Sequence, residues 1–240
     1  MPLIESGDQM NTIKLMSIYS QVCECASKKC KDFEEIYNCP SKGSPPRGFY
    51  TNATDEVKVM VVGKNPGHVL ESEAITYVNL HGEDLVRAHW EFSKKTFNKL
   101  IKLSRTDKRS TTFHFNLLDY LSEILDVPQE VVFEKVAYTN LVKCSTNGDE
   151  RAKLTRRSMD ECFGNHLMAE IDFFKPKIIF SLGREVESYL KKIKTLKQYP
   201  IVYIKHPSYH YRKELRVNCC QFRSTTKESF SIVNHCSKIG

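Results

Sequence analysis

The chain lacks a long hydrophobic run, which limits the classes of protein to which it can belong. None of its apolar stretches approaches the roughly 18 residues that a membrane-spanning helix needs, so we expect no membrane span. Residues 1–11 are polar and acidic and do not have the apolar centre of a secretory signal peptide. We therefore expect a cytoplasmic, nucleoid-associated or nuclear protein that is not secreted. No repeat, low-complexity tract or shift in composition divides the 240 residues, which favours a single domain over 1–240.

Acidic residues are fewer than basic ones. The 29 Asp and Glu residues against 36 Lys and Arg residues give a net charge of +7. The basic residues cluster along the chain, as at residues 105–109, 151–157 and 205–216. One such cluster is usually a solvated surface, but several near predicted strand ends favour a polyanionic partner.

The cysteine content is high for a chain without an export signal. Nine cysteines are present, four of them crowded into a predicted helix and loop over residues 12–55 and two in mid-chain: Cys23, Cys25, Cys30, Cys39, Cys144 and Cys162. Thiols stay reduced in the cytoplasm and nucleus, so this pattern favours metal ligation over disulfides.

Hydrophobic patterning predicts an α/β fold. Short apolar runs predict strands at residues 57–62, 136–142, 177–183 and 201–205, alternating with helical patterns at 12–37, 80–103, 116–125, 159–174 and 186–192. Ser158, followed by Glu161 three residues later, predicts a capping box at the start of the fourth helix. Strands that alternate with helices predict a three-layer α/β/α domain with a central four-stranded parallel sheet.

Two polar motifs directly follow predicted strands. Gly-Lys-Asn-Pro-Gly at residues 63–67, the first motif, follows the first strand, and His-Pro-Ser at 206–208, the second motif, follows the fourth. Open α/β sheets bind ligands at the carboxyl ends of their strands. We therefore predict that the two motifs meet over one ligand.

Together with two further segments, these motifs resemble those of the uracil-DNA glycosylase superfamily. The resemblance extends from about Cys30 to Tyr211. The first motif is similar to the first catalytic loop of the mismatch-specific and single-strand-selective branches, and the second motif to the second catalytic loop. Residues 138–144, Cys162 and residues 175–184 resemble the iron–sulfur, family-4-like branch. The resemblance implies a monofunctional DNA glycosylase that hydrolyses the N-glycosidic bond of uracil, or of a related deaminated base, in base excision repair.

The resemblance also implies roles for individual residues. Asn65 would orient a water molecule below the sugar, and His206 would donate a hydrogen bond to the base oxygen that gains charge. Asn140 would read the Watson–Crick edge of uracil, and Tyr77 would stack on the flipped base, with Phe49 and Phe92 as fallbacks. Gly63, Lys64 and Ser208 are the other predicted substrate-binding residues, and Tyr209, His210 and Arg212 are the predicted DNA-binding ones. The alternative for both asparagines is a structural one, a bond to their own turn or loop.

For the cysteines, the resemblance implies a structural [4Fe–4S] cluster. Its ligands would be Cys30, Cys39, Cys144 and Cys162, with Cys25 as an alternative at the N-terminal end. Zinc is the second candidate metal, and unliganded thiols are the third possibility.

A rival hypothesis comes from another functional class. The chain would then be a metal-cluster protein that binds or captures damaged DNA without turnover. A covalent-capture relative carries an extra basic insertion before its second loop, whereas here residues 203–205 run straight into His206. The absence of this insertion favours the enzyme hypothesis. The expected partner is single- or double-stranded DNA that contains uracil, and the enzyme is expected to act as a monomer.

Overall fold

A four-stranded parallel sheet forms the centre of the protein. The computed structural model describes residues 6–25, 47–53, 56–66, 80–106, 112–145 and 154–204. Its strands are β1 (Val59–Gly63), β2 (Val136–Asn140), β3 (Ile178–Leu182) and β4 (Ile201–Ile204), in the spatial order β2-β1-β3-β4. All three pairings are parallel. The predicted four-stranded parallel sheet is confirmed, and each strand starts and ends within two residues of its predicted bounds.

Helices cover both faces of this sheet. They are α1 (Ser6–Glu24), α2 (Gly82–Thr106), α3 (Thr112–Leu125), α4 (Arg156–Cys162), α5 (Met168–Phe174) and α6 (Arg184–Leu190), with short 3₁₀ helices at Gln129–Glu134 and Lys194–Leu196. The helix predicted over residues 12–37 begins earlier, at Ser6, and the end of that range lies outside the described residues. In the described part of the chain, no helix combines the length and apolarity needed to cross a bilayer.

Two apolar cores flank the sheet, one on each face. One contains Met60 and Val62 of β1 together with residues of α1, α5 and α6. The other contains Val59 and Val61 with residues of α3. Because successive side chains of a strand point to opposite faces, a strand covered on both sides is buried at every position, as β1 and β3 are, and nearly all of its residues are apolar. This is why these strands appear in the sequence as continuous apolar runs.

The start of α4 differs from the sequence prediction. The N-cap is Thr155, whose Oγ1 accepts a hydrogen bond from the backbone N–H of Ser158 at 3.0 Å. The predicted capping box starting at Ser158 is therefore wrong, because the helix begins earlier, at Arg156, and Ser158 is buried inside it. Glu161 instead accepts a hydrogen bond from Nε of Arg157 at 3.0 Å.

A π-helical turn joins α4 to α5. It spans Phe163–Leu167, so the single helix predicted over 159–174 is helical throughout but is widened in the middle. Two residues of the wide turn, His166 and Leu167, are buried, and Leu167 belongs to the core that contains Met60 and Val62. The turn is followed by α5, which carries a fully buried carboxylate, Glu170.

Candidate active site

The first motif and the end of β2 lie side by side at the carboxyl edge of the sheet. Gly63 is the register partner of Asn140. Beyond the strand ends, the N–H of Leu141 donates to the carbonyl of Gly63 at 2.9 Å, and the N–H of Val142 donates to the carbonyl of Lys64 at 3.0 Å. The first motif and the segment that carries the predicted base-reading residue Asn140 are therefore held together by backbone hydrogen bonds.

Gly63 allows Asn140 to lie directly over β1. A Cβ atom at position 63 would lie 2.5 Å from Oδ1 of Asn140 and 3.0 Å from the hydroxyl of Tyr138. Real Cβ atoms essentially never come as close as 2.5 Å to another atom, so any side chain at this position would displace the amide. The glycine is therefore needed for the close approach of the Asn140 side chain.

Asn140 is almost completely buried, with 5% of its surface exposed. The hydroxyl of Tyr138 donates to its Oδ1 at 3.3 Å. On the same side of the sheet the ring of Phe113 packs edge-on against Tyr138, with ring centroids 6.1 Å apart. The neighbouring His114 is held neutral at physiological pH, because burial lowers its pKa to about 4. The base-reading candidate is therefore buried beside the phenol of Tyr138, against which Phe113 packs in turn.

Asn65 makes a contact within its own turn. Its side chain is half-buried, and Nδ2 donates to the carbonyl of Pro66 at 3.2 Å. This is the kind of local bond expected if Asn65 is a structural turn residue. The bond uses the nitrogen end of the amide, whereas the predicted orientation of water uses the oxygen end. The geometry is thus compatible with both roles of Asn65.

Lys64 connects the first motif to the helix that follows β3. Its Nζ lies 3.1 Å from Oε2 of Glu185 in α6, and both side chains are partly exposed. Exposed ion pairs contribute about 0–1 kcal/mol, so this pair can readily exchange for a contact between Lys64 and a phosphate. The pair links the carboxyl ends of β1 and β3. The next strand after β1 lies on one side of it and the next strand after β3 lies on the other, so the strand order reverses between them. Open α/β sheets bind ligands at such a reversal.

The strand that precedes the second motif in the sequence ends at the same edge of the sheet. The strand β4 is parallel to β3 and ends at Ile204, whose carbonyl accepts from the N–H of Gly183 at 3.1 Å. The guanidinium of Arg184 lies over the ring of Tyr203, 4.9 Å from its centroid. The remaining predicted residues, His206, Ser208, Tyr209, His210, Arg212 and Tyr77, lie outside the described residues.

A buried ion pair fixes the segment that follows Asn140. Nζ of Lys143 lies 2.7 Å and 2.8 Å from the two carboxylate oxygens of Glu170, and 2.6 Å from Oγ1 of Thr139. The hydroxyl of Thr139 in turn donates to Glu170 at 2.8 Å, and all three residues are fully buried. Since Thr139 and Lys143 bracket Asn140, this network anchors the backbone on both sides of the base-reading candidate.

The two mid-chain cysteines lie in the same apolar core. Cys144 and Cys162 are buried, and the sulfur of Cys162 is near the backbone of Lys143. Burial raises the pKa of the Cys162 thiol, an effect that a metal ion would reverse because it binds the thiolate. Cys25 is half-buried at the end of α1, while Cys30 and Cys39 are not among the described residues. Among the residues that are described, no three metal-ligating side chains come together.

Phe49 is unsuited to its fallback role as a base-stacking residue. It is 1% exposed and packs edge-on against Tyr19, Trp90 and Phe174 in the core on the α1 face of the sheet. Asn140 faces the opposite side, so a base bound by Asn140 cannot reach this ring. Phe92 is a residue of α2 whose side chain is not among those described.

Sequence reasoning missed three groups at this edge: the hydroxyl of Tyr138, the ring of Phe113 and the Lys143–Glu170 pair. Tyr138 and Lys143 both belong to the segment that carries the resemblance, but no local pattern indicates what their side chains contact. The alternation of side chains along a strand accounts for the first contact, because Tyr138 and Asn140 lie on one face of β2. The other two contacts depend on the docking of α3 and α5.

These features define an open parallel α/β domain with its polar loops at the carboxyl edge. The family model of the uracil DNA glycosylase superfamily matches residues 50–229, which is 180 of the 240 residues. The chain therefore belongs to the uracil DNA glycosylase superfamily. Members of this superfamily are generally DNA glycosylases, hydrolases that remove bases from DNA, so the match indicates this class of activity for the chain. No curated protein matches the chain.

Proposed function

We propose that the protein is a monofunctional DNA glycosylase that removes uracil, or a related deaminated base, from DNA as the first step of base excision repair. The observation that carries this proposal is the placement of a buried asparagine amide, Asn140, over Gly63 of the first motif. In a member of this superfamily, that arrangement supports a role for Asn140 in reading uracil beside the first motif, to which the predicted hydrolytic residue Asn65 belongs.

Base recognition follows from the hydrogen-bonding chemistry of an amide. Nδ2 of Asn140 can donate to O4 of uracil while Oδ1 accepts from the N3–H group. Cytosine offers the opposite pattern, an acceptor at N3 and a donor amine at C4. Because the edge of a base is hidden inside a duplex, the nucleotide must be extruded before Asn140 can read it.

Hydrolysis requires stabilisation of charge rather than a strong acid or base. As the glycosidic bond breaks, positive charge develops on the sugar and negative charge on the departing base. In the proposed mechanism the carbonyl of Asn65 orients a water molecule towards the sugar. His206 donates a hydrogen bond to the base oxygen, and removal of one such donor typically costs about 10²–10³-fold in rate.

A lyase step is not part of the proposal, because it needs an uncharged lysine amine. Of the described lysines closest to Asn140 along β1 and β2, Lys64 is paired with Glu185 and Lys143 is buried against Glu170. A protonated ammonium group is not a nucleophile. The expected products are therefore a free base and an intact DNA strand with an abasic sugar.

Contacts with DNA are assigned to the segment around the second motif. Ser208 would hold a phosphate, and Tyr209, His210 and Arg212 would supply the aromatic and cationic groups that extrusion of a nucleotide needs. Tyr77 would stack on the extruded base. The protein would act as a monomer wherever the cell keeps its DNA, in the nucleoid or the nucleus.

The function and the role of Asn65 are tested together with oligonucleotides that carry one uracil. Wild-type protein should create sites that break in alkali, whereas Asn65→Ala should lose about 10²-fold or more of this rate, by analogy with other groups that stabilise the transition state. DNA binding, measured by fluorescence anisotropy, should be nearly unchanged.

The matched control for this variant is Asn52→Ala. Asn52 is an exposed asparagine whose N–H donates to Phe133, in the 3₁₀ helix that precedes the amino end of β2. It should keep wild-type activity. An Asn65→Ala protein with full activity would remove Asn65 from its catalytic role. Wild-type protein that binds uracil DNA without creating alkali-sensitive sites would instead support capture without turnover.

A [4Fe–4S] cluster is the second part of the proposal. Cys144 and Cys162 would supply two ligands, and Cys30 and Cys39, or Cys25 in place of one of them, would supply the others. Two buried thiols in one core fit such a group, since a metal offsets the cost of burying a thiolate. Its role would be structural, tying the N-terminal segment to the region that follows β2.

Purified protein should consequently be brown and should lose its broad visible absorption in Cys144→Ser and Cys162→Ser. The control is Cys23→Ser, because Cys23 is buried in α1 and is not a predicted ligand. Colourless protein that contains stoichiometric zinc would favour the second candidate metal. Colourless protein without any metal would contradict the metal site altogether.

A further inference from the structure

We propose that Lys64 and Arg184 form a phosphate-binding strip at the carboxyl edge of the sheet, and that Glu185 limits the affinity of this strip by pairing with Lys64 until a DNA phosphate displaces it. This role of the strip rests on the proposed function and extends it from the extruded base to the DNA backbone. It adds Arg184 as a contact to DNA and Glu185 as an internal competitor of the phosphate.

Three adjacent strand ends supply the side chains of the strip. Lys64 directly follows β1, and Arg184 and Glu185 are the first two residues of α6, which follows β3. Nζ of Lys64 lies 3.1 Å from Oε2 of Glu185. The guanidinium of Arg184 lies 4.9 Å from the ring centroid of Tyr203, a residue of β4. Because the spatial order is β1-β3-β4, Glu185 reaches towards β1 and Arg184 towards β4, so the acid stands between two cations.

Solvent reaches both partners of the Lys64–Glu185 pair. The exposed fraction is 26% for the side chain of Lys64 and 42% for that of Glu185. Such a pair is weak, because each charge is well solvated when the two separate. A DNA phosphate carries the same charge as the carboxylate, and its binding also releases counterions that are condensed on the DNA. A phosphate can therefore replace Glu185 on Lys64, whereas the pair of Lys143 and Glu170 is fully buried and out of reach of DNA.

Arg184 is suited to a second phosphate contact. The residue is exposed, and a guanidinium whose face contacts an aromatic ring keeps N–H donors that match the oxygens of a phosphate. Tyr203 belongs to the strand that precedes the second motif in the sequence. At the other end of the strip, Lys64 follows Gly63, over which Asn140 lies. The strip thus runs from the base-reading edge to the strand before the second motif.

An internal competitor at this position acts on all DNA alike. Phosphate contacts fix the position of a protein on DNA but carry no information about the base. Glu185 therefore lowers the affinity for undamaged DNA, on which a repair enzyme would otherwise stay bound, and leaves the choice of base to Asn140.

The test measures the binding of wild-type protein and Glu185→Gln to two single-stranded oligonucleotides by fluorescence anisotropy. One oligonucleotide carries a single 2′-fluoro-2′-deoxyuridine, in which the fluorine slows cleavage, and the other carries thymidine at that position. Glu185→Gln should tighten binding about 2- to 5-fold, the range expected when one exposed ion pair no longer competes. The gain should be equal for both oligonucleotides, and the melting temperature should stay close to that of the wild type.

The matched control is Glu187→Gln, which makes the same change of charge two positions further along α6. Oε1 of Glu187 lies 2.7 Å from Nζ of Lys191, so this carboxylate pairs with a lysine of the helix surface rather than with Lys64. Glu187→Gln should bind both oligonucleotides as the wild type does.

Two further variants test the cations separately. Arg184→Gln should weaken binding to both oligonucleotides and should reduce the magnitude of the slope of log affinity against log salt by about 0.7, the value for one phosphate contact on a single strand. Lys64→Gln should abolish the effect of Glu185→Gln, because the carboxylate acts by occupying Lys64. A gain that persists in Lys64→Gln/Glu185→Gln would instead show plain repulsion between Glu185 and DNA.

The possible outcomes separate this inference from the proposed function. Unchanged binding by Glu185→Gln, a gain for only one oligonucleotide, or a gain without Lys64 would overturn the role of Glu185 while uracil excision by the wild type stands. An unchanged salt slope in Arg184→Gln would remove Arg184 from the strip. Wild-type protein that binds both oligonucleotides but never excises uracil would overturn the proposed function alone. Wild-type protein that binds neither would overturn both.

Discussion

Replacement of Gly63 by alanine should slow uracil excision by about 10²-fold while leaving the fold intact. The added methyl group would lie 2.5 Å from Oδ1 of Asn140, so one of the two side chains must move. The atom that gives way is the end of a side chain and not backbone, which keeps the cost in stability small. A misplacement of about 1 Å of a group that positions the substrate can reduce a rate by about 10²-fold.

The effect of Gly63→Ala is measured as kcat/KM on uracil-containing DNA, together with the melting temperature. Gly164→Ala is the control, because a Cβ on this exposed glycine of the π-helical turn would have no neighbour within 4 Å. It should retain wild-type activity. Full activity of Gly63→Ala would show that Asn140 can move without consequence, and that its position over Gly63 is not what reads the base.

Replacement of Lys143 by methionine should destabilise the protein by about 3–5 kcal/mol, the usual result of leaving one partner of a buried ion pair without the other. The carboxylate of Glu170 would remain fully buried without its cation. For a chain of this size the loss corresponds to a fall in melting temperature of about 6–20 °C. Differential scanning fluorimetry measures it directly.

Two further variants distinguish the buried charge from a general packing defect. Lys143→Met/Glu170→Leu should recover much of the lost stability, since replacing both members of a buried pair by apolar groups is often neutral. Lys191→Met should change the melting temperature very little, because this lysine pairs with Glu187 on the exposed surface of α6. If Lys143→Met has the melting temperature of the wild type, the hydrogen-bond network of Lys143, Glu170 and Thr139 does not anchor the backbone around Asn140.

The fold could be predicted from the sequence because its signals are local. An apolar run such as residues 57–62 is long enough for a strand buried on both faces and too short for a helix, so its type follows from its pattern. The exact ends of the helices are less well determined by the sequence. Thr155 and Ser158 are both good capping residues, and the choice of Thr155 depends on where the preceding segment enters the helix.

The candidate site was predictable to the extent that its residues follow strands. Gly63, Asn65 and Asn140 stand out because polar groups at the carboxyl ends of parallel strands converge at one edge. The position of Asn140 over Gly63 needs the register of β1 against β2, which the sequence does not specify. Lys143 and Glu170 are 27 positions apart, and nothing near either residue signals that both charges are buried.

The most direct test of the proposed glycosylase activity is to measure the mass of the DNA after incubation with the protein. Wild-type protein is incubated with a single-stranded oligonucleotide that carries one uracil, and the products are analysed by mass spectrometry without alkali. The account predicts free uracil and a full-length strand in which the uracil is replaced by a hydroxyl group. A strand of unchanged mass after prolonged incubation, with no free base released, would contradict it.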